Sequence, residues 1–202
     1  MESLVVPRLI VIRGPSGSGK STVARHLFER ATRRVCLIEQ DHYRFIFRPA
    51  GGGSLPNAAT IHRMIEHNVM AALHDGYDVI LEGILSVRSY GLVVDRLFTA
   101  GVSENFLYSF DVSIEETLRR HRTRSTPDLG FSEEDMRDWY PHAHVWGHQL
   151  ERVIPESASL DDILTRIADD TRSARPSGGG REGVGLRRRR SPCLSPWGGS
   201  RT

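Results

Sequence analysis

Short apolar runs alternate along the chain with longer stretches in which apolar residues recur every three or four positions. Leu9-Ile10-Val11-Ile12 is the first run and stops at Gly14, which predicts a buried strand. From Lys20 to Arg33, Val23, Ala24, Leu27, Phe28 and Ala31 fall at helical spacing. Val35-Cys36-Leu37-Ile38, Val79-Ile80-Leu81, Phe106 to Phe110 and a short Arg152-Val153-Ile154 predict four more strands. Helices are expected at about 57–74, 89–100, 114–125, 132–140 and 159–172. Asp111 or Ser113 suits the cap of the helix at 114, and Ser132 before Glu133 to Asp135 opens the next. Strands alternating with helices of this length predict an α/β fold, a mostly parallel sheet covered on both faces.

Composition narrows the class. The 202 residues suit one domain and a tail, and 39% hydrophobic content is too high for a wholly disordered chain. No apolar run reaches the roughly 18 residues of a membrane span, and MESLVVPR at the N-terminus lacks a basic segment leading into an apolar one. A cytoplasmic protein is therefore expected, neither secreted nor membrane-bound. The two cysteines, Cys36 and Cys193, are too few and too far apart for a disulfide framework or a cysteine zinc site. The net charge of +2 averages two unlike regions. Residues 173–202 carry seven arginines and one glutamate, with seven glycines and three prolines, and read as a disordered tail. Arg187 to Arg190 also suit an arm that attracts nucleic acid or anionic lipid, although no aromatic residues interleave with them. Residues 1–172, the expected folded domain, hold 20 basic and 24 acidic residues.

The strongest chemical signal is Gly14-Pro15-Ser16-Gly17-Ser18-Gly19-Lys20-Ser21, followed by Thr22. Glycines permit a tight loop whose backbone N–H groups point inward at phosphate oxygens, and the helix starting near Lys20 adds the positive end of its dipole. In this pattern the lysine reaches the β- and γ-phosphates and the Ser21 hydroxyl coordinates Mg²⁺. All but one of the 27 basic residues are arginine, and the single lysine is Lys20. A glycine-rich turn from strand to helix is the plain alternative, but the lone lysine stands where the cradle requires one.

This octapeptide is a Walker A motif, and the chain resembles the P-loop NTPase superfamily. After the second expected strand, Asp41 and Arg44 lie three apart in a loop on the same sheet edge as the phosphate loop. The spacing is similar to that of P-loop small-molecule and polynucleotide kinases, where the resemblance implies a general base and a substrate clamp. A helix cap at Asp41 and a surface pair with Arg44 is the alternative. Tyr77 to Gly83 resembles a Walker B strand, and Glu82 at its end is expected to hold a water on Mg²⁺ or to contact the acceptor. The stretch 114–124 resembles the arginine-bearing lid of nucleotide-type kinases, which implies that Arg120 and Arg124 stabilise charge on the transferring phosphoryl group. Glu115 with Arg119 and Glu116 with Arg120 are also expected as i,i+4 helix pairs, which leaves Arg122 and Arg124 without acidic partners on the preceding turn. His142, His144 and His148, interrupted by Pro141, do not have metal-site spacing and read as packing or pocket wall.

Over about residues 8–170 the resemblance is closest to bacterial P-loop kinases of the polynucleotide kinase, chloramphenicol phosphotransferase and zeta-toxin-like group. It implies a three-layer α/β/α domain with five parallel strands in the order 2-3-1-4-5. The expected activity is ATP- and Mg²⁺-dependent phosphorylation of a hydroxyl on a small molecule. The net negative core makes a nucleic-acid 5′-end the less favoured acceptor. An ATP-binding switch with little turnover is the reading from another class.

Overall fold

The structure is a computed structural model and describes residues 5–47, 57–123, 132–138, 140 and 145–173. Its elements are β1 (Arg8–Arg13), α1 (Lys20–Glu29), β2 (Val35–Glu39), α2 (Gln40–Phe45), α3 (Ala58–His74) and β3 (Asp78–Gly83). They continue with α4 (Val87–Thr99), β4 (Glu104–Asp111), α5 (Ile114–Arg122), α6 (Glu133–Asp138), β5 (Glu151–Pro155) and α7 (Leu160–Ser173). The strands pair in parallel in the order β2-β3-β1-β4-β5, the order expected from the sequence.

Alternation along β1 explains the layering, since successive side chains leave opposite faces of a strand. Leu9 and Val11 join Ile61, Ile65 and Val69 of α3 and Val93, Val94 and Leu97 of α4 in one core. Ile10 and Ile12 join Val23 and Ala24 of α1 and Ile163, Leu164 and Ile167 of α7 in the other. Every residue of β3 is buried, as a central strand covered on both faces requires. Asn57 caps α3 by accepting a hydrogen bond from the Ala59 N–H at 2.6 Å. Of the two expected caps for α5, Ser113 is the one used, accepting from the Glu116 N–H.

Element bounds differ from the sequence reading in a few places. Helix α1 ends at Glu29, four residues short of Arg33, because the chain must turn back to begin β2 at Val35. Arg33 instead reaches the Asp78 carboxylate at 3.1 Å. Asp78 also accepts from the Arg8 N–H at 2.8 Å, so it ties strands together at the sheet edge remote from the phosphate loop. The segment holding Asp41 and Arg44 is the helix α2 and not a loop; six residues are too few to show a helical period. Helix α5 stops at Arg122. The tail expected from residue 173 lies outside the described residues apart from Ser173, and so do Arg124, His142 and His144. Among the described residues no helix is long and apolar enough to cross a membrane.

Ile65 is 0% exposed at the centre of the α3 face. Ile65→Ala is expected to lower stability by about 2–5 kcal/mol through lost transfer energy and the cavity left behind. Urea unfolding should show a reduced midpoint at an unchanged slope.

Candidate active site

The loop from β1 to α1 has the conformation its glycines allow. Gly14 has φ +153°, and a Cβ there would stand 2.7 Å from the Phe110 Cβ. Gly17 has φ +79° and packs against the Thr117 carbonyl, so a side chain is excluded by both backbone and space. Helix α1 starts after Gly19 with no side-chain cap and no acidic residue in its first turn. Its leading N–H groups are thus left to an anion. The Ser18 N–H donates to the Pro15 carbonyl at 3.3 Å and closes the loop. The Ser18 hydroxyl is buried with no hydrogen-bond partner among the described residues, while Ser16 is half-buried and Thr22 exposed.

Lys20 is only 8% exposed, and its Nζ donates to the Pro15 carbonyl at 3.2 Å. The same Nζ lies 3.7 Å from Glu82 Oε1, and the Ser21 hydroxyl donates to that oxygen at 2.9 Å. Burial pushes the Glu82 carboxyl above its ordinary value; Lys20 and Ser21 act against this, while Glu39 and Asp41 push the same way. A buried carboxylate flanked by a hydroxyl and by other negative charges is a donor set that suits a hard divalent cation. The three residues expected to cooperate, Lys20, Ser21 and Glu82, are therefore brought together by β3 running beside β1.

Asp41 and Arg44 stand on the first and last turns of α2, with Arg44 Nη1 3.8 Å from Asp41 Oδ1. The surface pair weighed from the sequence thus forms, though it is long. Asp41 raises the pKa of both Glu82 and Tyr90, so its charge acts on the end of β3 and on α4 alike. Beside α2 lies a pocket of about 270 Å³ walled by Gln40 and Arg44 of α2, Ile61 and His62 of α3, and Ser89 and Tyr90 of α4.

The arginines of α5 separate by role. Arg120 donates to the Ser18 carbonyl at 2.9 Å, to the Glu156 carbonyl at 3.1 Å and to Glu116 at 2.6 Å. It braces the phosphate loop against the segment after β5. Arg119 pairs with Glu116, not with Glu115, and the two arginines hold the Glu116 carboxyl down to about 2. Arg122 has an acidic partner after all, Glu133 of α6 at 2.6 Å, which sequence spacing within one helix does not reveal. Arg124 lies outside the described residues.

Sequence reasoning missed the group behind the loop. Arg13, immediately before Gly14, is 1% exposed and donates to the Leu85 carbonyl at 3.2 Å and to the Ser109 hydroxyl at 3.0 Å. It also pairs with Glu151 at 3.4 Å, and burial lowers its pKa despite that partner. Glu151 accepts further bonds from the Ser109 hydroxyl and from the Trp146 and Gly147 N–H groups. Leu85 is the one non-glycine among the described residues with positive φ, +40°, and its N–H donates to Gln40 Oε1 at 3.1 Å. Gly83 leaves room for that amide, because a Cβ there would stand 2.5 Å from the Gln40 Cβ. The only sequence signal was an arginine ending an apolar run. His148 approaches Asp95 at 3.8 Å and lies near Trp146, and no group of three or more His, Cys, Asp or Glu side chains able to hold a metal occurs among the described residues.

The parallel order, the cradle and the Lys20–Ser21–Glu82 cluster define a P-loop NTPase. The sequence model of the AAA domain family matches residues 9–152, and the chain belongs to that family. No curated protein matches it. Among solved structures, it is similar to an unliganded sugar kinase from Janibacter sp. at 18% identity, with 81% of this chain and 93% of that one covered and a TM-score of 0.61. A putative kinase from Chloroflexus aurantiacus matches at 17% identity over 85% and 99% of the two chains, TM-score 0.63. The Mycobacterium tuberculosis APS kinase, solved with AMPPNP and APS, matches at 18% identity over 83% and 99%, TM-score 0.56. At these identities the likeness is one of fold.

Removing one partner of a buried ion pair strands the other charge, so Glu151→Ala is expected to cost about 3–5 kcal/mol. Thermal or urea unfolding checks this. A loss below about 1 kcal/mol would mean that the hydroxyl and carbonyl around Arg13 satisfy it without a carboxylate.

Proposed function

We propose that the protein is an ATP-dependent phosphotransferase acting on a hydroxyl of a small molecule. The observation that carries this reading is the pocket beside α2, on the same sheet edge as the phosphate cradle. A nucleotide switch needs no such cavity, whereas a kinase must house its acceptor next to the γ-phosphate and keep water from competing. Kinases among the structures of like fold support the same class.

The residues fit the nucleotide and its cation. The uncapped start of α1, the unpartnered Ser18 hydroxyl and the ammonium of Lys20 suit the phosphates of ATP. Ser21 and Glu82 would hold Mg²⁺, directly or through water, and the ion supplies charge neutralisation across the phosphates. Gly14 to Thr22 wrap the phosphates, and Lys20 screens the charge that develops on the β–γ bridge. Arg120 keeps the loop in shape from behind, and Arg124 serves as the lid cation. Asp41 takes the acceptor proton while Arg44 holds the acceptor. In the transfer, the bond from the γ-phosphorus to the ADP oxygen breaks, the acceptor oxygen forms the new one, and its proton passes to Asp41.

Two measurements on the full chain test this. Calorimetry with AMPPNP and Mg²⁺ should show binding, weakened about tenfold or more by Arg120→Ala, because a missing brace lets the loop relax. ADP release against a panel of hydroxyl acceptors should fall on the order of 10²-fold in Asp41→Asn. ATP bound without acceptor-dependent ADP release would favour the switch, and unchanged turnover in Asp41→Asn would move the base elsewhere.

A further inference from the structure

The pocket's lining indicates which acceptors it would take. Among the described residues that line it, Arg44 is the one with a formal charge. That guanidinium makes only the long contact to Asp41 among the described residues, so most of its five donors have no partner among them. Burial lowers the pKa of His62, and the charge of Arg96, itself bound to Glu66 at 2.6 Å, lowers it further. Its ring stands against Tyr90 with centroids 4.3 Å apart, and neither of its nitrogens hydrogen-bonds to a described residue. Tyr90, also at the wall, carries a phenolic O–H that can both donate and accept. Ser89 adds a hydroxyl at the mouth, and Ile61 supplies an apolar wall.

These groups sort by chemistry. An imidazole, two hydroxyls and an amide match the donors and acceptors of several alcohol groups. A single unspent guanidinium matches one carboxylate or phosphate, with two parallel N–H···O bonds available. Among the described residues no carboxylate lines the pocket, so a polyamine or aminoglycoside finds the like charge of Arg44 and no opposite one among them. The volume of about 270 Å³ stands at the small end of the roughly 300–1,000 Å³ typical of ligand sites, which suits a compact acceptor.

We propose that the pocket between α2, α3 and α4 selects a compact polyol carrying one anionic group, with Arg44 on the anion and His62, Ser89 and Tyr90 on the hydroxyls. This rests on the phosphotransferase reading and adds the class of its acceptor. His62, Ser89 and Tyr90 are specificity residues, since they contact the acceptor away from the transferred group.

The test uses the full-length protein with ATP and Mg²⁺ and matched probes of four to seven carbons: aldonates such as D-gluconate, sugar monophosphates, and neutral polyols such as D-glucitol. Adenosine and an aminoglycoside serve as contrasts. One anionic set is expected to exceed its neutral counterpart at least tenfold in kcat/KM, and the two anionic sets tell carboxylate from phosphate. Arg44→Gln should erase the preference, chiefly through KM, and Tyr90→Phe should raise KM without changing the order of the acids. Arg44 lies at the surface, so its loss should leave the unfolding midpoint in place. Equal or better turnover of the neutral polyols, of adenosine or of the aminoglycoside would overturn the proposal. So would an undiminished preference in Arg44→Gln, or no turnover of any anionic polyol by protein that binds AMPPNP. Protein that binds no AMPPNP at all would instead remove the phosphotransferase reading beneath it.

Discussion

The site depends on the place of β1 between β3 and β4, all three running the same way. That register sets Arg13 level with Gly83 on one side and Ser109 on the other. β1 and β3 end at this line and β4 at Asp111 just past it, so the phosphate loop, the Glu82 carboxylate at the end of β3 and the α5 segment gather toward one edge. In an antiparallel sheet the same residues would be scattered over two edges. Parallel pairing requires long crossovers, and those crossovers are the helices that cover both faces.

Two buried charged groups hold that edge, and they are arranged differently. Arg13 with Glu151 is saturated: the guanidinium meets a carbonyl, a hydroxyl and a carboxylate, and the carboxylate meets further donors. Such a network fixes geometry, and its removal leaves desolvated groups unpaired. Glu82 is held differently: it accepts from the Ser21 hydroxyl and lies 3.7 Å from the Lys20 ammonium, and burial pushes its carboxyl above the ordinary value.

Beside α2, Gln40 Oε1 accepts from the Leu85 N–H and ties the pocket wall to the end of β3, while Arg44 makes only its long contact to Asp41 among the described residues. Leu85, held at positive φ with both of its backbone polar groups engaged, links this wall to Arg13 and so to the phosphate loop. Strain of this kind persists only where surrounding bonds determine the conformation.

The sequence by itself determined the strands, the long helices, the layer order and the phosphate cradle. These rest on local period and on a glycine-and-lysine pattern whose geometry is written within eight residues. It also placed Glu82 at the end of a strand, the position from which it meets Ser21. The short α2 escaped because six residues carry no period, and the partner of Arg122 escaped because Glu133 stands on another helix. Only the tertiary structure decided that Arg13 is buried against Glu151 and that His62 and Tyr90 face Arg44 across a pocket. Those groups are separated by tens of residues along the chain, and nothing in the spacing of one element encodes which neighbour the sheet will bring beside it.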